Sequence, residues 1–163
     1  MIRPARPEDA AQIAEIWNRV IRETTITFLP DEKSPDEVAA LMDGRFPFLV
    51  WQQGERVDGF ARAFPFRGGA GYRHTAEHTI LLREGAAGRG GGAALMEALF
   101  DALRAQGIHT LWAGISAENS KGVVFHTRHG FEHVARLEEV GRKFDRWIDL
   151  ILMRKLLDPG PER

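Results

Sequence analysis

Apolar residues recur at helical spacing in two segments near the start of the chain. The first segment carries them at Ile13, Ile16, Trp17, Val20 and Ile21, which predicts an amphipathic helix. A second helix is predicted at Ser34-Pro35-Asp36-Glu37, because this segment combines an N-cap serine, a first-turn proline and a capping-box glutamate. Gly44 is a typical helix stop, so the second helix is expected to end there.

Strand patterns follow. Residues 48–51 and 57–64 are rich in apolar and aromatic residues and are separated by Gly54-Glu55, which predicts a β-hairpin. A loop rich in glycine comes next, and residues 75–82 then predict a third strand. The densest glycine cluster of the chain, residues 85–92, runs directly into a predicted helix that Gly107 ends.

The last third of the chain predicts further strands and one short helix. Residues 108–115 predict a strand, residues 120–128 a short helix, and a turn at His129-Gly130-Phe131 leads into another strand. An apolar strand over 147–156 closes the pattern, and residues 158–163 are expected to form a tail. This order of elements predicts one mixed α/β domain, residues 1–157, built around one sheet.

Composition narrows the function classes. The 163 residues are 44% hydrophobic and 28% charged, and 22 basic residues balance 23 acidic ones, so nucleic acid or an anionic membrane is not expected as the main partner. No apolar run is long enough for a membrane span, and no signal peptide is apparent. The absence of cysteine excludes thiol nucleophiles and is compatible with a reducing cytosol, so a cytoplasmic location is expected.

The glycine cluster predicts an anion site. Glycines let a backbone approach a ligand closely, and the following helix would point free N–H groups at a phosphate or pyrophosphate. A Walker loop requires a lysine, and none occurs between Lys33 and Lys121. Gly88, Gly90 and Ala93 approximate a dinucleotide fingerprint, but no acidic residue follows at the required distance. A tight strand-to-helix connection without a ligand remains an alternative.

Ala87-Gly88-Arg89-Gly90-Gly91-Gly92 resembles the acyl-CoA pyrophosphate loop of the GCN5-related N-acetyltransferases (GNAT), whose pattern is Gln/Arg-x-x-Gly-x-Gly/Ala. Ala87 departs from this pattern at the first position, which affects a side-chain contact and not the backbone cradle. Downstream, Glu118-Asn119, His126 and Gly130-Phe131 resemble the Asn-centred turn, short helix and Gly-Phe return of the same family. Two motifs in order on the predicted elements are more specific than either alone.

Further segments resemble one branch of that family, the phosphinothricin and methionine sulfoximine N-acetyltransferases. These segments are Ile2–Ala5, Glu23–Thr25, Phe66, Tyr72–Glu77 and Gly141–Asp149, and the similarity extends from Ile2 to about Leu156. The resemblance implies a central, mostly antiparallel sheet flanked by helices, acetyl-CoA as co-substrate, a small amino acid as acceptor and a homodimer. The loop Gly68–Gly71 is richer in glycine than is usual in this branch.

The resemblance also assigns catalytic roles. It places the general base at Glu77, backbone contacts to the acyl-CoA arm at Ile80, Leu81 and Leu82, and the N–H that receives the acetyl carbonyl at Leu82. An aliphatic amine is mostly protonated at pH 7 and needs such a base. His126 stands where the superfamily carries a tyrosine acid, and an imidazolium could protonate the leaving thiolate. The alternatives are a solvent-facing strand glutamate and a helix histidine whose bonds are satisfied internally.

Other matching positions concern binding. The cofactor set is Gly88, Arg89, Gly90, Gly91, Gly92, Ala93, Asn119 and Arg128, and the substrate set is Ala70, Gly71, Tyr72, Arg73, Glu23 and Phe28. Phe144 and Trp147 are interpreted as core or dimer contacts.

No metal site is expected. His74 and His78 flank Glu77, but on a strand positions four apart lie about 13 Å from each other. Two other functions remain open beside amino-acid N-acetylation. One is a GNAT enzyme acting on another amine, such as a protein N-terminus, and the other is a non-catalytic acyl-CoA-binding sensor.

Overall fold

The computed structural model describes residues 1–158; most of the predicted tail lies outside the described residues. One sheet contains β1 (Ile2–Pro4), β2 (Phe48–Gln53), β3 (Arg56–Pro65), β4 (Thr75–Leu82), β5 (Thr110–Ser116), β6 (Glu132–Lys143) and β7 (Arg146–Leu156). The strand order is β1-β2-β3-β4-β5-β7-β6. Every neighbouring pair is antiparallel except β4 and β5, which run parallel. The predicted mixed, mostly antiparallel α/β fold is confirmed.

Helices cover both faces of this sheet. They are α1 (Ala10–Glu23), α2 (Pro35–Ala40), α3 (Gly91–Ala105) and α4 (Ser120–Arg128). Because side chains alternate along a strand, Phe48 and Val50 of β2 pack with α1 and α2, whereas Leu49 and Trp51 pack with α3. The fold therefore has two apolar clusters with the sheet between them. No helix among residues 1–158 is long and apolar enough to cross a membrane.

The first strand is absent from the sequence-based prediction. β1 is three residues long and pairs with β2, with Arg3 opposite Val50. Arg3 also makes two hydrogen bonds to the Asp9 carboxylate, through Nη1 at 2.7 Å and Nη2 at 2.8 Å. Asp9 immediately precedes α1, so this ion pair connects the edge of the sheet to the start of the first helix.

β6 and β7 form a long hairpin at the other edge. Phe144 and Asp145 form its turn and have positive φ angles of 51° and 60°. Phe144 is 53% exposed and Trp147 is 57% exposed. The interpretation of these two residues as core is therefore wrong, and their contact with a second copy stays a prediction.

Candidate active site

β4 and β5 separate along their length. Their pairing covers only three residue pairs and ends at Glu77 opposite Trp112. Beyond that pair a cleft of about 200 Å³ opens between the two strands. Side chains from both faces of the sheet line it, including Trp17, Phe28, Leu81, Asn119, His78 and His126. A narrow ligand could therefore lie between the strands and reach both faces.

The backbone of β4 has free polar groups in this cleft. The Arg83 N–H donates to the Asp58 carbonyl of β3, and Leu81 is opposite Phe60 of the same strand. Since successive residues of a strand direct their N–H and C=O groups to opposite sides, Ile80 and Leu82 direct theirs away from β3 and into the cleft. Leu81, in contrast, uses its backbone in the sheet and contributes its side chain to the cleft wall.

The glycine loop lies at the end of the cleft and leads into α3. Gly88 and Gly90 have φ angles of +81° and +83°, which favour glycine. A Cβ atom on Gly91 would lie 2.0 Å from the Trp51 ring, so the start of α3 approaches β2 as only glycine allows. Arg89 and Ala93 are exposed beside the first, unpaired N–H groups of the helix. These features fit the diphosphate of an acyl-CoA.

α4 borders the cleft on the side of α3. Asn119 caps this helix, because its Oδ1 accepts a hydrogen bond from the Gly122 N–H at 3.0 Å. A Cβ atom on Gly92 would lie 3.4 Å from Phe125, so α4 contacts the start of α3. Arg128 is exposed at the end of α4 and lines a shallow groove with Lys121. Asn119 therefore lines the cleft itself, whereas Arg128 lies in a separate groove on the same helix.

Glu77 is partly buried on β4. Burial raises the pKa of its carboxyl above the ordinary 4.5. Its Oε1 lies within 3.2 Å of the position that a Cβ on Gly114 would take, and Gly114 is part of the cleft wall. The interpretation of Glu77 as a freely solvated strand residue is therefore wrong.

His126 is buried on the opposite face and is bonded to another histidine. Its Nδ1 lies 2.7 Å from the Gly122 carbonyl oxygen. Its Nε2 lies 3.0 Å from Nε2 of His78, whose own Nδ1 lies 3.0 Å from the Trp112 carbonyl oxygen. Burial lowers the pKa of both rings, that of His78 to about 3. The sequence alone predicts no role for His78, because His126 is 48 residues away and only the fold brings the two rings together.

The predicted substrate residues do not form one group. Phe28 lines the cleft, but Glu23 lines an adjoining cavity of about 530 Å³ together with Glu118 and Arg146. Arg146 makes hydrogen bonds of 2.7 Å with each carboxylate oxygen of Glu118, a pair that the sequence analysis did not identify.

The loop between β3 and β4 holds the other predicted substrate residues. Ala70 and Gly71 are exposed in the turn that carries Tyr72. Tyr72 lies 6.4 Å from the Phe66 ring, and Phe66 stacks on Trp112 at 5.3 Å, which connects the loop to the residue opposite Glu77. Arg73 donates to Nε2 of His74 instead of reaching this aromatic row. Residues 1–158 contain no group of three or more potential metal ligands.

The chain is similar to known acetyltransferases over nearly its whole length. Residues 2–152 match the acetyltransferase (GNAT) domain. The chain is 36% identical to a phosphinothricin N-acetyltransferase from Streptomyces coelicolor, with 91% of each chain covered. It is 35% identical to an L-methionine sulfoximine/L-methionine sulfone acetyltransferase from Pseudomonas paraeruginosa, with 97% of this chain and 95% of that one covered.

Comparison with solved structures also finds an acetyltransferase. The structure of yncA from Salmonella typhimurium with its cofactor acetyl-CoA has a TM-score of 0.94 and 32% sequence identity, covering 100% of this chain and 96% of that one. The chain therefore belongs to the GNAT acetyltransferase family. It is an enzyme that transfers an acetyl group from acetyl-CoA to an amine.

Proposed function

We propose that this enzyme acetylates the α-amino group of a small amino acid such as L-methionine sulfoximine or L-phosphinothricin, by direct transfer within a ternary complex. The observation that carries this proposal is the cleft through the sheet, with Glu77 next to the Gly114 part of its wall on one face and His126 lining it on the other. The substrate class is supported by the names of the relatives from Streptomyces coelicolor and Pseudomonas paraeruginosa.

The acetyl donor would lie along β4. Ile80 and Leu82 have backbone groups directed into the cleft, so an extended pantetheine arm can bind there as an added strand. Its diphosphate would bind the glycine loop and Arg89. The Leu82 N–H, which is directed away from β3, would donate to the acetyl carbonyl oxygen. Such a preorganised donor typically stabilises the developing oxyanion by about 3 kcal/mol.

The amine would be activated by Glu77. A base must accept a proton, and a carboxylate whose pKa is raised by burial binds a proton more strongly than a solvated glutamate does. The amine then attacks the acetyl carbon directly. A covalent acetyl-enzyme through a thiol is excluded, because the chain has no cysteine. Tyr72 and Phe28 are the proposed walls of the substrate site.

Turnover can be measured as release of CoA thiol. Because the protein contains no cysteine, a thiol-reactive dye reports only the product. We expect saturable turnover with L-methionine sulfoximine and L-phosphinothricin, and initial-velocity lines that intersect when both substrates are varied. Ordinary amino acids, polyamines and peptides form the comparison panel. Preference for a peptide or a polyamine would contradict the proposed substrate class, and parallel lines would contradict direct transfer.

Glu77→Gln separates catalysis from binding. We expect this variant to bind acetyl-CoA with unchanged affinity and to lose turnover by at least about 100-fold, the usual effect of removing a general base. Glu138→Gln is the matched control, since Glu138 is exposed on β6. Full activity of Glu77→Gln would rule out Glu77 as the base. Acetyl-CoA binding by the native protein without turnover of any amine would instead favour a sensor.

A further inference from the structure

His78 and His126 form a buried chain of three hydrogen-bond contacts. Nδ1 of His78 contacts the Trp112 carbonyl oxygen, and Nδ1 of His126 contacts the Gly122 carbonyl oxygen. Between them, the Nε2 atoms of the two rings contact each other. A carbonyl oxygen can only accept, so both Nδ1 atoms must carry a hydrogen. The central contact needs one more hydrogen on either Nε2. Three protons are therefore required to satisfy all three contacts.

Two neutral imidazoles carry only two protons. The neutral pair would leave two Nε2 lone pairs facing each other at 3.0 Å in a buried site, and an unsatisfied buried contact is costly. The doubly charged pair carries four protons and would place two N–H groups against each other. Only the singly charged pair matches the geometry.

We propose that His78 and His126 act as one acid that holds a single shared proton between their Nε2 atoms, and that this proton goes to the thiolate of CoA as it leaves. The proposal rests on the proposed function, and it adds His78 as the positioning residue that supplies the second half of the acid. Both rings line the cleft in which the thioester would lie.

The protons of this mechanism balance over one turnover. The amine nitrogen loses one proton to Glu77 before attack and a second after the N–C bond has formed. The C–S bond breaks, and the sulfur gains the shared proton from the histidine pair. One of the two amine protons restores the pair and the other is released to solvent, so one proton is produced in each turnover.

The surroundings are apolar and oppose charge, so the single shared proton is supported by the three hydrogen-bond contacts and not by the surroundings. Phe131 packs against both rings, with centroid distances of 5.5 Å from His78 and 5.0 Å from His126. Burial, together with the charge of a neighbouring histidine, lowers the pKa of each ring, so the three hydrogen bonds must offset the desolvation of the one shared charge. The other titratable groups around the pair are His129 on α4, Glu97 on α3 (which bonds His129), Glu77 on the opposite face of β4, and Lys155 on β7, whose Nζ lies near Gly130.

Histidine labelled with ¹⁵N tests the proton count on the free protein at pH 7. We expect both Nδ1 atoms to be protonated and one further proton, at low field, to be shared by the two Nε2 atoms. Two protons in total, or an unprotonated Nδ1 on either ring, would overturn the proposal. This measurement needs no variant and no substrate, so it stands even if the proposed function fails.

Kinetics test the role of the pair. We expect His78→Gln to lower kcat at least about tenfold, to keep the KM for acetyl-CoA within twofold, and to remove the fall in kcat that loss of the shared proton causes as pH rises. His126→Gln and the double variant should lose the same amount, because groups that act as one unit are not additive. His133→Gln, at an exposed position of β6, is the control.

If the kcat losses of the two single variants multiply in the double variant, His78 has only a packing role. The same conclusion follows if kcat of His78→Gln still falls at high pH as it does in the native enzyme. If His78→Gln fails to fold, His78→Asn gives the same comparison. Absence of turnover by the native enzyme with every amine would contradict the proposed function and leave the proton count as the separate test of the pair.

Discussion

The Glu77 carboxyl on β4 has its pKa raised by burial, and this has a consequence for stability. A group whose pKa is higher in the folded protein stabilises the fold most at pH values below its unfolded pKa, and this contribution is lost as pH rises through the folded pKa. Glu77→Gln should therefore increase the free energy of unfolding at pH 7 by roughly 0.5–2 kcal/mol, the range typical of relieved active-site strain.

Denaturant unfolding at several pH values checks this prediction. The gain from Glu77→Gln should shrink below pH 4.5, where the native glutamate is protonated in both states. The exposed Glu138→Gln should show no such pH dependence. A Glu77→Gln variant that is less stable than the native protein at pH 7 would mean that the ionised carboxylate is favourably bonded and not merely desolvated.

At the scale of single elements, α3 depends on two adjacent glycines in different ways. A Cβ on Gly91 would lie 2.0 Å from the ring of Trp51, whereas a Cβ on Gly92 would have only ordinary contacts, at 3.4 Å from Phe125 and 3.5 Å from Leu82. Gly91→Ala should lower the free energy of unfolding by roughly 1–3 kcal/mol, as overpacking does, and weaken acetyl-CoA binding. Gly92→Ala is the matched control and should fold normally. Thermal unfolding and calorimetric titration check both variants, and equal behaviour would contradict the close approach.

The connection between β1 and α1 depends on the Arg3–Asp9 pair. Hydrogen bonds from Arg3 hold the pKa of the Asp9 carboxyl below its usual value of 3.8. A lowered pKa stabilises the fold above the unfolded pKa, and this contribution is lost as pH falls through the folded pKa. Asp9→Asn should cost about 2 kcal/mol at pH 7, and the difference from the native protein should narrow below pH 4. Chemical unfolding at pH 7 and pH 3 measures it, and an equal cost at both values would exclude the ion pair as the cause.

The sequence predicts those helices and strands whose signals lie within their own residues. The strand over 75–82 and the helix over 120–128 have the predicted bounds, because alternation and capping are local properties. β1 was missed since three residues become a strand only through pairing with β2. Similarly, the histidine pair joins residues on different elements, and the separate cavities of Glu23 and Phe28 depend on where the loop after α1 packs.

For the whole molecule, the parallel β4–β5 pair is the one place in the described sheet where neighbouring strands run in the same direction, and here the strands diverge. The antiparallel ladders on both sides stay intact, so the rest of the sheet holds the cleft open before a ligand arrives. In this arrangement one narrow opening would give the proposed base, Glu77, on one face and the proposed acid, His126, on the other access to the same bond.

Amide hydrogen exchange tests this arrangement across the sheet. The Leu81 N–H is directed to β3 and should be protected in the free protein, whereas the N–H groups of Ile80 and Leu82 face the cleft and should exchange faster. Saturating acetyl-CoA should slow exchange at Ile80 and Leu82 at least about tenfold and change Leu81 little, because an added strand bonds only the groups on its own side. Equal protection of all three amides before acetyl-CoA is added would contradict an open cleft, and unchanged exchange afterwards would place the acyl-CoA arm elsewhere.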